Sequence, residues 1–290
     1  MSELLQFLIS GITVGAIYSV VALGFTMIYN ASGVVNFAQG EFVMLGAMLS
    51  AAGMASGLPL VVAVALAILA AALLSVALYD LAIRPARGAP MFALVIITIG
   101  ASILIRGIAK IFFGTSPQAL PTLAGDTPIR VGGAVLQMQS LVVVFSAILM
   151  FAGLHVLMTR TLVGRAVVAT ATNRMAAQLS GINVELTIRL SFALSAAIGA
   201  LSGVLIAPIT LASYDMGTML ALKGFAAAIL GGMGNPLGAV VGGVFVGLFE
   251  ALSSGYLSSQ YKDATAFMII VLVLLLRPSG LFGKSTYERV

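Results

Sequence analysis

Two carboxylates, Glu41 and Glu250, and one imidazole, His155, stand inside or at the edge of otherwise apolar stretches. An ionisable side chain in hydrocarbon costs about 3 kcal/mol or more, so each is a candidate for handling an ion, a proton or a polar solute. Glu41 follows the run Asn36-Phe37-Ala38-Gln39-Gly40, which opens an apolar segment. A carboxylate at such a helix start is favoured by the helix dipole, so a capping role and a pathway role both fit. A second interruption, Gly-Gly-Met-Gly-Asn-Pro at 231–236, reads either as a tight turn or as a polar break in a solute path. On the pathway reading the candidate residues are Asn36, Gln39, Glu41, Gly232 and Asn235. His155 stands alone, and a hydrogen bond to a neighbouring helix explains it better than a proton relay.

The usual catalytic sets are missing. No region joins Ser, His and Asp, no carboxylates are paired, and no His-Glu-x-x-His occurs. The chain has no cysteine, which excludes disulfides and cysteine metal sites. It also lacks the Gly-x-x-x-x-Gly-Lys-Ser/Thr phosphate loop. The expectation is a non-enzyme with no catalytic residues, no metal and no cofactor of its own. Any ATP that drives it must be hydrolysed by another chain.

The basic segment 160–183, RTLVGRAVVATATNRMAAQLSGIN, is too long for a simple turn. Residues 164–180 fit a short helix with Ala166, Ala169, Thr170, Asn173 and Ala177 along one face, stopped by Gly181. A face of small residues lets a second protein approach the backbone closely. The plainer alternative is an interfacial amphipathic helix, but such helices carry bulky apolar side chains on the buried face.

The elements that must position these residues are membrane helices. Of 290 residues, 61% are hydrophobic and 8% charged, against about 25% charged in soluble domains. A crossing needs about 20 apolar residues. Apolar segments run over 4–29, 40–55, 60–79, 91–113, 140–158, 186–209, 224–232, 237–252 and 264–276. The expected fold is an all-α polytopic membrane protein with about 8–9 transmembrane or re-entrant helices, forming one transmembrane domain over 1–290. The segment 224–232 is too short to span and reads as a half-helix. The first residues carry Glu3 and no Lys or Arg, unlike a cleaved signal peptide.

Arg84 and Arg87, then Arg160, Arg165 and Arg174, then Arg277, Lys284 and Arg289 mark three cytoplasmic stretches by the positive-inside rule. The net charge of +5 is explained by these loops rather than by nucleic acid. The Pro-, Gly- and Thr-rich stretch 114–139 reads as external, although Arg106 and Lys110 lie near that end. If every segment crosses, the amino terminus is outside and the carboxyl terminus inside. A weak repeat pairs Gly15-Ala16 and Glu41-Phe42 with Gly199-Ala200 and Gly224-Phe225, and Pro59-Leu60 with Pro236-Leu237. It would run in opposite directions through the membrane, as in inverted-repeat transporters, and it pairs the break 30–36 with the break 231–236.

Five stretches occur in an order and spacing that resemble one known family. They are GAIYSVVALGFTMIYNASGVVNFAQGEFVMLGA (15–47), TIGASILIRGIAKIFFG (98–114), GRAVVATATNRMAAQLSGINV (164–184), GFAAAILGGMGNPLGAVVGG (224–243) and RPSGLFG (277–283). Together they resemble the branched-chain amino acid ABC-transporter permeases, in particular the shorter of the two permease types. The family often has His where this chain has Gln39. The resemblance implies that 160–183 is a cytoplasmic coupling loop docking on an ATP-binding subunit, through Gly164, Arg165, Ala166, Ala169, Thr170, Asn173, Ala176, Ala177 and Gly181. It further implies a second homologous permease, two ATP-binding subunits, a periplasmic solute-binding protein, and a place in the bacterial inner membrane among lipid. The substrate would be a branched-chain amino acid or a related small solute such as urea, an amide or an aromatic acid. The rival reading is an ion-coupled secondary transporter. That would need buried charged pairs at mid-membrane, where the sequence offers only scattered single charges.

Overall fold

A computed structural model describes residues 2–283 apart from Ala124, Asp126, Thr127, Gly132, Ser258, Ser259 and Tyr261. Lys284 and Arg289 of the expected cytoplasmic tail lie outside the described residues. Backbone polar groups in lipid must be satisfied within the chain, and helices do this segment by segment. Eleven α-helices are described: α1 (Ser2–Ser32), α2 (Gln39–Ala55), α3 (Leu60–Leu78), α4 (Met91–Phe113), α5 (Met138–Arg160), α6 (Leu162–Thr172), α7 (Arg174–Leu179), α8 (Val184–Thr210), α9 (Met216–Gly231), α10 (Pro236–Tyr256) and α11 (Lys262–Leu276). A π-helical turn, Tyr79–Ile83, prolongs α3. Six helices are long and apolar enough to cross a bilayer: α1, α3 with its π turn, α4, α5, α8 and α10. The shorter α2, α9 and α11 hold 17, 16 and 15 residues. At 1.5 Å per residue each covers about 25 Å or less of a core about 30 Å thick.

The two ends of the bundle are chemically distinct. At one end Arg174 donates to the carbonyls of Ala31 and Ser32, closing α7 onto the last turn of α1. Arg84 and Arg87 both pair with Glu185 at the start of α8, and Arg189 Nε lies 2.8 Å from Asp80. Asn30 donates to Gly234 O, and Leu281 and Phe282 donate to Leu230 O and Gly231 O. All three basic stretches therefore share this basic end, as far as they are described. The opposite end carries a β-hairpin, Ile129–Val131 with Ala134–Leu136. Gln6 pairs with the Val135 backbone there, so the amino terminus lies at the hairpin end.

The core is built on close backbone contacts. Without a hydrophobic drive between helices in lipid, small residues and interhelical hydrogen bonds hold spans together. A Cβ on Gly247 of α10 would strike the backbone of Gly15 in α1, and one on Gly46 of α2 would strike Ala200 in α8. Ser19 Oγ lies 2.7 Å from Val240 O, tying α1 to α10 by hydrogen bond.

The succession long helix, short helix, Pro-started helix occurs twice, as α1–α2–α3 and α8–α9–α10. Pro59 precedes α3, and Pro236 opens α10. α1 runs from the hairpin end to the basic end and α8 runs the other way, so the two units are inverted. The sequence register of this repeat needs correction. Glu41 sits in the first turn of α2, whereas Gly224 lies in the middle of α9, so these two are not equivalent. The break before α2 corresponds to 211–215 before α9, not to 231–236. The short helix read at 224–232 in fact begins at Met216. Lys223, just before that segment, is buried inside the helix at 5% exposure.

Candidate functional site

The two short helices meet at their amino termini. A Cβ on Gly40 would strike Gly217 O, and one on Gly217 would strike Gly40 O. Only glycines allow α2 and α9 to touch there. Glu41, 1% exposed, lies in this junction. Its Oε1 accepts from Ser102 Oγ of α4 at 2.7 Å, while Oε2 has no hydrogen-bond partner. One turn further along α4, Arg106 donates to Thr218 Oγ1 in the first turn of α9. Nearer the hairpin end, Lys110 stands 5.5 Å over the ring of Tyr214.

The pathway residues expected from the sequence are not brought together. Asn36, Gln39 and Glu41 are all buried at the start of α2. Gly232 and Asn235 lie at the basic end, where Asn235 caps α10 through Leu237 N and Gly238 N and donates to Phe282 O. Their role is to fold the α9–α10 turn over the tail. Asn36 Oδ1 accepts from Ala38 N, and its Nδ2 is unpartnered. Gln39 is fully engaged with α8: Nε2 donates to Ser195 O at 3.0 Å, and Oε1 lies 2.8 Å from Ser195 Oγ. A neutral imidazole also offers one donor and one acceptor, so the His that the resemblance leads one to expect here has the same bonding capacity as Gln39.

A cluster that sequence reasoning missed lies between α1, α9, α10 and α11. Lys223 Nζ is 2.8 Å from Glu250 Oε1 and 2.6 Å from Asp263 Oδ1. Tyr18 donates to Glu250 Oε2 at 2.7 Å. The charges read as scattered singles thus form an ionic group, buried at Lys223 and Glu250 and partly exposed at Asp263. Along the chain Lys223 is 27 residues from Glu250 and 40 from Asp263, and no local spacing signals the group. His155 departs from expectation in the other direction. It faces outward on α5 beside Phe151, and among the described residues its ring makes no hydrogen bond.

At the basic end the expected single helix over 164–180 is two helices. Asn173 is extended, φ −154° and ψ 106°, and its side chain caps α7 by accepting from Ala176 N. Asn173 is thus a junction, not a face residue. The small residues also point differently from expectation. Gly164, Thr170 and Ala177 are buried against the rest of the chain. A Cβ on Gly164 would strike Leu157 O. Ala166 and Ala169 are half-buried, while Arg165, Asn173, Ala176 and Gly181 are exposed. The outward surface is bulky instead, with Leu162 79%, Met175 72% and Leu179 85% exposed.

A family model described as the permease component of branched-chain amino acid transport systems matches residues 7–276. The high-affinity branched-chain amino acid transport system permease protein LivH of Escherichia coli K12 is 35% identical, covering 99% of this chain and 97% of the relative. BraD of Pseudomonas aeruginosa, described in the same words, is 34% identical over 99% of this chain and 98% of its own length. Among solved structures, PsaBC from Streptococcus pneumoniae in complex with Fab superposes with a TM-score of 0.52 at 14% identity, covering 97% of this chain and 94% of that one. That likeness concerns the fold.

Proposed function

The chain belongs to the family of branched-chain amino acid transport permeases, and from that premise we propose that it is the membrane subunit of an ATP-driven importer for branched-chain amino acids. The observation that carries this reading is the likeness to LivH and BraD over 97% and 98% of their own lengths. The chain supplies one wall of the translocation pathway. A second homologous permease supplies the other, two ATP-binding subunits supply the power stroke, and a periplasmic binding protein delivers the solute. ATP is hydrolysed on those partners, and nucleic acid is no ligand. The basic end faces the cytoplasm of a bacterial inner membrane and the hairpin end faces the periplasm. The outward faces of α3 and α4, with Val61, Ile111 and Phe112 at least 80% exposed, suit lipid.

The α6–α7 pair projects at the cytoplasmic end and is the coupling element. Its contact with the ATPase is made by the exposed Leu162, Met175 and Leu179 with Arg165 and Ala176. Gly164, Thr170 and Ala177 act one layer behind, where their small size seats α6 and α7 on α1, α5 and α8. Reconstitution of the chain with the second permease, the ATP-binding subunits and the binding protein tests the whole reading. Loaded binding protein should stimulate ATP hydrolysis and ATP-dependent uptake of leucine, isoleucine or valine. Uptake without ATP, driven by an ion gradient, would establish the secondary-transporter reading instead.

A further inference from the structure

The junction of α2 and α9 holds two opposite charges, Glu41 and Arg106, that form no direct ion pair. Among the described residues neither Glu41 nor Arg106 has an ion-pair partner within 4.0 Å. Glu41 Oε2 is buried, unpartnered and directed at the first turn of α9, where a Cβ on Gly217 would lie 3.0 Å from it. Arg106 uses one of its five N–H donors on Thr218. Both lie deep in the span. Ser102 and Arg106 are the twelfth and sixteenth residues of α4, about 17 and 22 Å from its start at Met91. Arg106 is half-buried, amid exposed Ile103, Leu104 and Ile108. A guanidinium at that depth is too costly to leave against acyl chains, so it belongs on a wet or subunit-facing wall.

We propose that Glu41 and Arg106 form a mid-membrane binding station for a zwitterion, its ammonium taken by Glu41 and its carboxylate by Arg106 and Thr218. The proposal rests on the importer reading and names what the permease itself recognises. Two features fit a zwitterion and not a neutral or singly charged solute. The groups have opposite sign and stand one helical turn apart along α4, through Ser102 and Arg106. The amino termini of α2 and α9 add a positive field that favours a carboxylate over a neutral group. In this conformation the first turn of α9 covers Glu41, so the station opens only as α9 moves against α2 and α4.

The test uses the full importer in liposomes, where wild-type uptake first establishes the importer reading by itself. Glu41→Gln and Arg106→Gln should each lower uptake at least tenfold, while hydrolysis stimulated by loaded binding protein persists. Glu41→Asp should recover part of the uptake. Should either variant fail to assemble, Ser102→Cys, nearly isosteric, carries the test, because the chain has no native cysteine. With cysteine-free partners, a small water-soluble methanethiosulfonate should modify it in one nucleotide state and be slowed by transported substrate. Uptake within twofold of wild type in both Gln variants would overturn the proposal, as would a Ser102→Cys thiol unreactive in every nucleotide state.

Discussion

The buried ionic group shows how a single residue's worth depends on its neighbours. Lys223 faces two carboxylates, so the group carries one positive and two negative charges, with Tyr18 donating to Glu250. Breaking a buried pair by removing one partner typically costs about 3–5 kcal/mol, because a charge is left uncompensated. Lys223→Met leaves two carboxylates and no cation, and should lower the unfolding temperature sharply in detergent. Glu250→Gln leaves Lys223 balanced by Asp263 and keeps the amide oxygen as an acceptor for Tyr18. It should cost much less and should preserve uptake. Thermal unfolding and uptake assays on the two variants check the order. Loss of uptake in a stable Glu250→Gln protein would mean that the group carries ions or protons, which is what the secondary-transporter reading requires. At this scale the sequence was legible only in part. Glu41 and Glu250 were identifiable because a charge in an apolar run is conspicuous. Lys223 was not identifiable, because a paired lysine and an interfacial lysine look alike without the partner.

At the scale of the element, hydropathy located α1, α3, α4, α5, α8 and α10 to within four residues at each end. The period and length of a span are written in adjacent residues. The α6–α7 pair was legible as a basic, helical insertion, but its orientation was not. Small residues are used both where a foreign chain docks and where a helix seats on its own bundle, and only the tertiary contact distinguishes the two. The consequence is a reversal in mutational expectation. Ala177→Trp places an indole at a position 4% exposed, packed inside the chain, and should destabilise the permease itself. Met175→Asp and Leu179→Asp alter positions 72% and 85% exposed, and should leave membrane insertion and folding intact. Co-purification of the ATP-binding subunits should be lost in these two. Retained co-purification and uptake in both would reduce α6–α7 to an interfacial helix pair.

For the whole molecule, the inverted arrangement explains why two short helices can meet in the middle of the membrane. Each unit sends a long helix across, turns back inside the bilayer, and starts its short helix at depth. Because the units run in opposite senses, the two starts approach from opposite faces and meet at Gly40 and Gly217. This symmetry was visible in the sequence only through Pro59-Leu60 and Pro236-Leu237, since helix starts retain proline while the glycine contacts shift register. The same arrangement sets the relative ends: among the described residues, nine apolar helices between hairpin end and basic end leave Gln6 with the hairpin and residues 281–282 with the arginines. Cysteines replacing Arg87 and Ser180 should therefore react with impermeant reagent only from the cytoplasm. Ser285, beyond the described residues, should by its sequence position report the same side. On the other face Ser116, exposed in the segment after α4, is a better reporter than Gly125, whose φ of +82° strains any side chain. Ser116→Cys should react only from outside in intact spheroplasts. If Ser180→Cys reacted from outside while Ser116→Cys did not, the entire bundle would be upside down. The α6–α7 surface could then not reach an ATPase, and coupling would need another element of the chain.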